Sequence, residues 1–569
     1  MTPPDAPTRR RPWSVLAWAR PLTLLAFTAP IAAGLLGTLL PAFGYLPAIG
    51  GSGVSLQPWR ELLAAPGVAS ALALTLATGW SATLLSLLLA VGIVAALHPR
   101  GRSTRLAEWL APLLAMPHAA LAIGLAFLIS PSGWLVRWVS PAWTGWDVPP
   151  DVATIGHPSG WPVVLALLIK EVPYLVLMLL AALNQVPARA QVDVARSMGY
   201  GPAQAWLAVV LPPLWRQIRW PVYAVLAFSL SVVDVALVLG PGNPPTLAVL
   251  AVRWFADPDP GWIFPASAAA MVLLGVVAAS LAVLRGVEHG IAAWHVRHLA
   301  RGRRGGASEP LARLATRLGG LLLASAVLAV VGLVLWSFAA SWRYPAALPT
   351  AWTAANWTRQ AGSLALPALT TLVIGAASTL IALVLVLSGL EHESRSKRRS
   401  RAVPWLYLPL LVPQVAFLFG LQVLLVRLGA DGRLLAVIAC HLVFVLPYLH
   451  LSLADPWRAL DPRLARTAAS LGASPARIFW RVKLPVLLRP VLLAAAIGFA
   501  VSAGQYLPTL YAGAGRVATL TTEAVTLASG ADRRVIGTWA LLQALLPLLA
   551  YLAAATLPRL LYRHRRGLA

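Results

Sequence analysis

Two stretches of this chain share residue types and spacing that suit docking rather than bond-making. Asp193-Val-Ala-Arg-Ser-Met-Gly199 is followed, after nine intervening residues, by Val209-Val-Leu-Pro212. Arg466-Thr-Ala-Ala-Ser-Leu-Gly472, 273 residues further along, is followed, after nine intervening residues, by Val482-Lys-Leu-Pro485. In each, small residues (Ala195; Ala468 and Ala469) let a short helix lie close against a partner. The glycine can end that helix in left-handed geometry without a Cβ penalty. Leu211-Pro212 and Leu484-Pro485 then lead into the next apolar run, with proline limiting helix continuation at the turn. Catalytic chemistry has little to stand on. Cys/His metal clusters, a nucleophile elbow and His-Glu-x-x-His are all absent. The three lysines, Lys170, Lys397 and Lys483, follow Ile, Ser and Val, so the chain has no Gly-Lys-Ser/Thr phosphate loop. We expect no enzyme here, no metal and no bound cofactor. If ATP and Mg are used, a partner subunit hydrolyses the nucleotide.

A second set of polar residues lies inside apolar runs, where such groups are costly. His118 and Gln414 sit at matching places 296 residues apart, and Asp234 and Gln505 at matching places 271 apart. Each lies 13 to 16 residues beyond a cytoplasmic arginine (Arg105, Arg401, Arg219, Arg489). That is about 20–24 Å at the rise of a helix, past the midplane of a ~30 Å core. The four suit a polar ring around a translocation passage, or hydrogen bonds that merely pack helices. Lys170 and Glu171 are adjacent and face different ways. They are read as separately satisfied structural charges, and His441 as a core residue. Cys440, the one cysteine, permits no intrachain disulfide.

The elements that must hold these residues are membrane helices. Of 569 residues, 59% are hydrophobic and 11% charged, with mean hydropathy +0.75. A soluble chain carries about a quarter charged residues. Runs of roughly 20 apolar residues give twelve spans: 21–43, 69–97, 106–130, 161–183, 220–240, 264–285, 318–340, 364–389, 403–427, 435–453, 490–512 and 536–557. Backbone groups in lipid must be satisfied internally, so these are helices. The net charge of +26 could suggest nucleic acid. However, 34 of the 45 Lys and Arg fall in segments that are cytoplasmic if the N-terminus is inside. This is the positive-inside bias, and it places both termini in the cytoplasm. Basic surface beside anionic headgroups accounts for the charge without nucleic acid. The first span follows Arg9-Arg10-Arg11 and reads as an uncleaved anchor.

The repeat extends beyond the loops. Thr75 to Leu84 matches Thr371 to Leu380, Pro117 to Leu125 matches Pro413 to Leu421, and Val172-Pro-Tyr-Leu175 matches Leu446-Pro-Tyr-Leu449. The fold class is all-α and polytopic: two parallel six-helix repeats related by a pseudo-two-fold along the membrane normal. The expected organisation is a first half at 1–285 with its loop at 184–219, a basic flexible linker at 286–316, and a second half at 317–569 with its loop at 454–489.

The paired loops resemble the EAA loop of ABC-importer permeases: Glu-Ala-Ala, three residues, Gly, nine residues, Ile-x-Leu-Pro. Asp193 and Arg466 depart from the first position. The resemblance implies a fused, two-half permease of a binding-protein-dependent importer in a bacterial inner membrane. It implies two copies of an ABC ATPase docked on the loops. A periplasmic or lipid-anchored solute-binding protein would deliver the solute. Ser231-Val-Val-Asp234 with 239–247, and Gln505-Tyr-Leu-Pro-Thr-Leu510 with 519–523, resemble permeases grouped with thiamine, ferric-iron and polyamine importers, the thiamine type above all. One carboxylate in the ring favours a cationic solute over sulfate or phosphate. The rival reading is a secondary transporter of two six-helix halves, which gives no reason for the paired loops.

Overall fold

A computed structural model describes residues 16–302, 304, 306–396, 403–530 and 532–562. The basic markers Arg9, Arg10, Arg11 and Arg401 lie outside the described residues. Among those described, nine helices are long and apolar enough to cross a membrane, or eleven if two bent pairs count as single spans. Twelve were expected. The shortfall falls at the fifth span. Its first piece, Leu211–Ser231, is diluted by Arg216, Gln217 and Arg219, and its second, Asp234–Leu239, has only 6 residues.

Breaks recur at matching places in the two halves. The third span is split into Ser103–Ala115 and His118–Ile129, and the ninth into Leu408–Leu411 and Gln414–Arg427. The cause is local. Pro117 and Pro413 lack the N–H a helix needs and hold Met116 and Val412 in extended backbone, ψ 136° and 123°. The ninth span bends by 95° as a result. The eleventh is split in turn, Leu488–Ala503 from Leu507–Gly513.

The first span of each half packs on the other half. Leu16–Ala42 lies along Gln414–Arg427, and Ser308–Phe338 lies along Val68–Leu97 and His118–Ile129. Both crossings need glycine, because the backbones touch. A Cβ on Gly37 would stand 2.6 Å from the Gly420 carbonyl oxygen, and one on Gly124 would stand 2.7 Å from that of Ala329. The Gly420 N–H donates to Thr38 Oγ1 at 3.1 Å. One apolar core therefore joins Leu121, Ile169 and Val235 to Leu333, Trp336 and Trp539. At the end opposite the loops, buried Arg137 donates to the carbonyls of Ser132, Arg343 and Ala346 and lies over the Trp342 ring. A two-stranded hairpin, Ala339–Ser341 with Ala351–Trp352, closes the same end.

The linker expected to be flexible at 286–316 is mostly helix. Ile263–Ala300 runs 38 residues, about 57 Å, and Ser308 begins the next helix. Residues 286–300 contain no proline and several good helix formers, so the membrane helix propagates through them.

Candidate functional site: coupling loops and central passage

Each loop is built the same way. The first comprises Ala188–Ser197, a turn at Gly199, the helix Pro202–Ala205, and a π-turn at Trp206–Val210. The second comprises Pro462–Ser470, a turn at Gly472, Pro475–Ile478 and a π-turn at Phe479–Lys483. Gly199 and Gly472 have φ of +87° and +77°, the left-handed backbone that stops the preceding helix. Leu211 and Leu484 open the next helices, with Pro212 and Pro485 in their first turns, where a missing N–H is harmless. Asp193 and Arg466 are exposed at equivalent positions.

Ala195 does not do what its size suggested. It is 2% exposed and packs inward with Ala188 and Val192, the buried stripe of an amphipathic helix. Ala468 is half-buried and Ala469 is exposed, on a helix with no buried residue. The outward apolar side chains include Val194 and Leu464 on the helices, and Met198 and Leu471, each directly before its glycine, 49% and 82% exposed. A motif defined by small residues does not point to them.

The four intramembrane polar residues all sit at helix breaks. His118, Gln414 and Asp234 are the first residues of the helices that follow a break, and Gln505 lies within one. All are half-buried. The breaks of spans three and eleven adjoin, since a Cβ on Gly504 would meet Pro117 at 3.7 Å. The helix that opens at Asp234 packs against the helix that opens at His118. Among the described residues, no hydrogen bond joins the Gln414 or Gln505 side chain to the other two. The structure thus packs the helices of His118 and Asp234 together and sets the break that holds Gln505 beside the one that precedes His118.

Lys170 and Glu171 part company. The Lys170 ammonium donates to the carbonyls of Leu113, Leu114 and Met116 at 3.1, 3.2 and 2.6 Å. Those carbonyls end the helix before the third-span break, where helix carbonyls lack partners. Glu171 is left facing His118, with Oε1 3.7 Å from Nε2. Sequence reasoning missed Glu171 as a neighbour of His118. Its only signal was an acid inside an apolar run, and its adjacent lysine disguised it. His441 bridges the break in span eleven: Nδ1 meets Ser502 Oγ at 2.7 Å and Nε2 meets Thr509 Oγ1 at 3.0 Å. It is 1% exposed and positions the segment that carries Gln505. No group of three or more His, Cys, Asp or Glu suited to a metal occurs among the described residues.

No family model matches the chain. Among curated proteins, it is 34% identical over 517 residues to the inner membrane ABC transporter permease protein YnjC of Escherichia coli (strain K12). That alignment covers 90% of this chain and 93% of the relative. The molybdenum transport system permease proteins ModB of Mycobacterium bovis and Mycobacterium tuberculosis are each 34% identical over 149 residues. Those matches cover 24% of this chain and 56% of each relative. A match spanning nine-tenths of the chain, on a fused two-half bundle of apolar helices, means that this protein belongs to the permease family of ABC transporters.

Proposed function

We propose that this permease works in import, passing a small solute inward through a passage between its two halves. An outer solute-binding protein delivers the solute. Two copies of an ATPase dock on the loops at 184–219 and 454–489, and ATP and Mg are bound there rather than on this chain. Both termini lie in the cytoplasm. The observation that carries this reading is the pair of equivalent exposed loops, each with an apolar knob beside a left-handed glycine. A short helix presented to a groove is a known recognition mode. The docking residues are Asp193, Gly199, Leu211, Pro212, Arg466, Ala468, Gly472, Leu484 and Pro485; Ala195 shapes its loop from within.

His118, Asp234, Gln414 and Gln505 line the passage, with Glu171 beside them. Two carboxylates and one imidazole on one half face two amides on the other. With both carboxylates ionised and Lys170 charged beside Glu171, the sum is negative while His118 is neutral. This supports a cationic solute, thiamine-like in charge, over an anion. The molybdenum named for the ModB relatives belongs to proteins aligned with a quarter of this chain. The test is copurification from the native membrane followed by ATPase and uptake assays. An ATPase subunit that copurifies, with uptake that needs ATP hydrolysis, supports the reading. Uptake driven by an ion gradient alone, without ATP, favours a secondary transporter instead.

A further inference from the structure

Gly201 and Ser474 hold the same place in the two loops, 273 residues apart, each just before a short helix. Ser474 caps its own helix, its side chain accepting from the Arg477 N–H at 3.3 Å. Gly201 has no side chain with which to do so. The acceptor in the first loop comes from elsewhere: the Ala203 N–H donates to Glu309 Oε1 at 2.6 Å. Glu309 is the second residue of Ser308–Phe338, the first span of the second half. The same carboxylate pairs with Arg100 at 3.5 Å, at the end of the second span. The place of a Gly201 side chain is taken, because a Cβ there would lie 3.0 Å from Glu309 Oε1. A second tie joins the loop to the helix Ile263–Ala300: a His295 ring nitrogen meets the Ala208 carbonyl at 3.0 Å. The second loop is held from its own half, where Arg395 donates to the Pro475 carbonyl at 3.3 Å.

We propose that Glu309 is a positioning residue that ties the first coupling loop to the second half, so that movement of this loop is passed across the half-to-half boundary. The proposal rests on the reading of 184–219 as a docking loop. A charge-assisted hydrogen bond is stronger than a neutral cap, and this one anchors two segments at once. The two loops are therefore unequal levers. The first pulls on both halves, and the self-capped second pulls on its own.

The test separates capping from tying. Glu309→Ala removes both. Adding Gly201→Ser to Glu309→Ala supplies a cap of the Ser474 kind without the tie. Hydrogen exchange on the purified full-length chain should show the amides of 203–206 exchanging about tenfold faster in Glu309→Ala. Those of 476–479 should be unchanged. Protection at 203–206 should return in the double variant. The ATP hydrolysis rate of the complex copurified with each variant should fall roughly fivefold in both. Unchanged exchange in Glu309→Ala overturns the proposal, as does recovery of both protection and hydrolysis in the double variant. A wild-type chain that copurifies with no ATPase overturns the docking reading instead, and the exchange comparison still decides whether Glu309 holds the loop.

Discussion

At the scale of single residues, what distinguishes the intramembrane polar groups is which charges already have partners. Lys170 is hydrogen-bonded to three carbonyls, and the Glu171 carboxylate beside it in sequence faces His118 instead. Asp234→Asn removes charge while nearly keeping shape. We expect uptake of the true solute to fall about tenfold with expression and assembly intact, since a charged cleft enriches its counter-ion by that order or more. Glu171→Gln should act in the same direction. Unchanged uptake kinetics in both would make them packing residues. Lys170→Met should instead act on stability. It strands the carbonyls of Leu113, Leu114 and Met116, at a cost of about 1–3 kcal/mol, read as a lower midpoint of thermal unfolding in detergent. Lys170 was legible as a structural charge from sequence. Its acceptors, more than fifty residues away in the chain, were not.

At the scale of elements, the breaks matter more than the helices. Each of the four intramembrane polar residues is presented at the point where a span is interrupted, and two of the interruptions could be read from Met116-Pro117 and Val412-Pro413. The break before Asp234 has no proline, and Val232-Val233 gives no local warning. Tertiary packing imposed it. The loops show the opposite balance. Their glycines, leucines and prolines were readable from spacing alone, because αL geometry and a missing N–H are properties of one residue. The direction Ala195 faces depends on the core behind it. Gly472→Val should be informative here. At φ +77° a side chain costs roughly 1–2 kcal/mol. The chain should still insert, while ATP hydrolysis no longer drives uptake. Normal coupling in this variant would remove Gly472 from the docking element.

At the scale of the whole molecule, the two halves exchange their first spans and share a core. Gly420→Leu should therefore act as an interface mutation inside one polypeptide. It pushes Leu16–Ala42 away at a cost of about 1–3 kcal/mol, visible as increased protease cleavage between the first and second spans. Native-like resistance would mean that the crossing is looser than the touching backbones imply. The topology makes its own prediction. A reporter fused within 306–312, between the sixth and seventh spans, should read as cytoplasmic. A periplasmic signal there would overturn the parallel arrangement of the halves.

Sequence alone determined the class of this protein, its twofold internal repeat and the glycine turns of its paired loops. Apolar length, the distribution of arginine and the chemistry of glycine and proline act locally, and a linear reading captures them. Tertiary structure alone decided which half each first span lies on, where Lys170 finds its acceptors, and that Glu309 caps a helix in the opposite half. Those facts depend on which surfaces meet across hundreds of residues. Close backbone approach and the pairing of buried charge are properties of the assembled bundle, and no spacing along the chain encodes them.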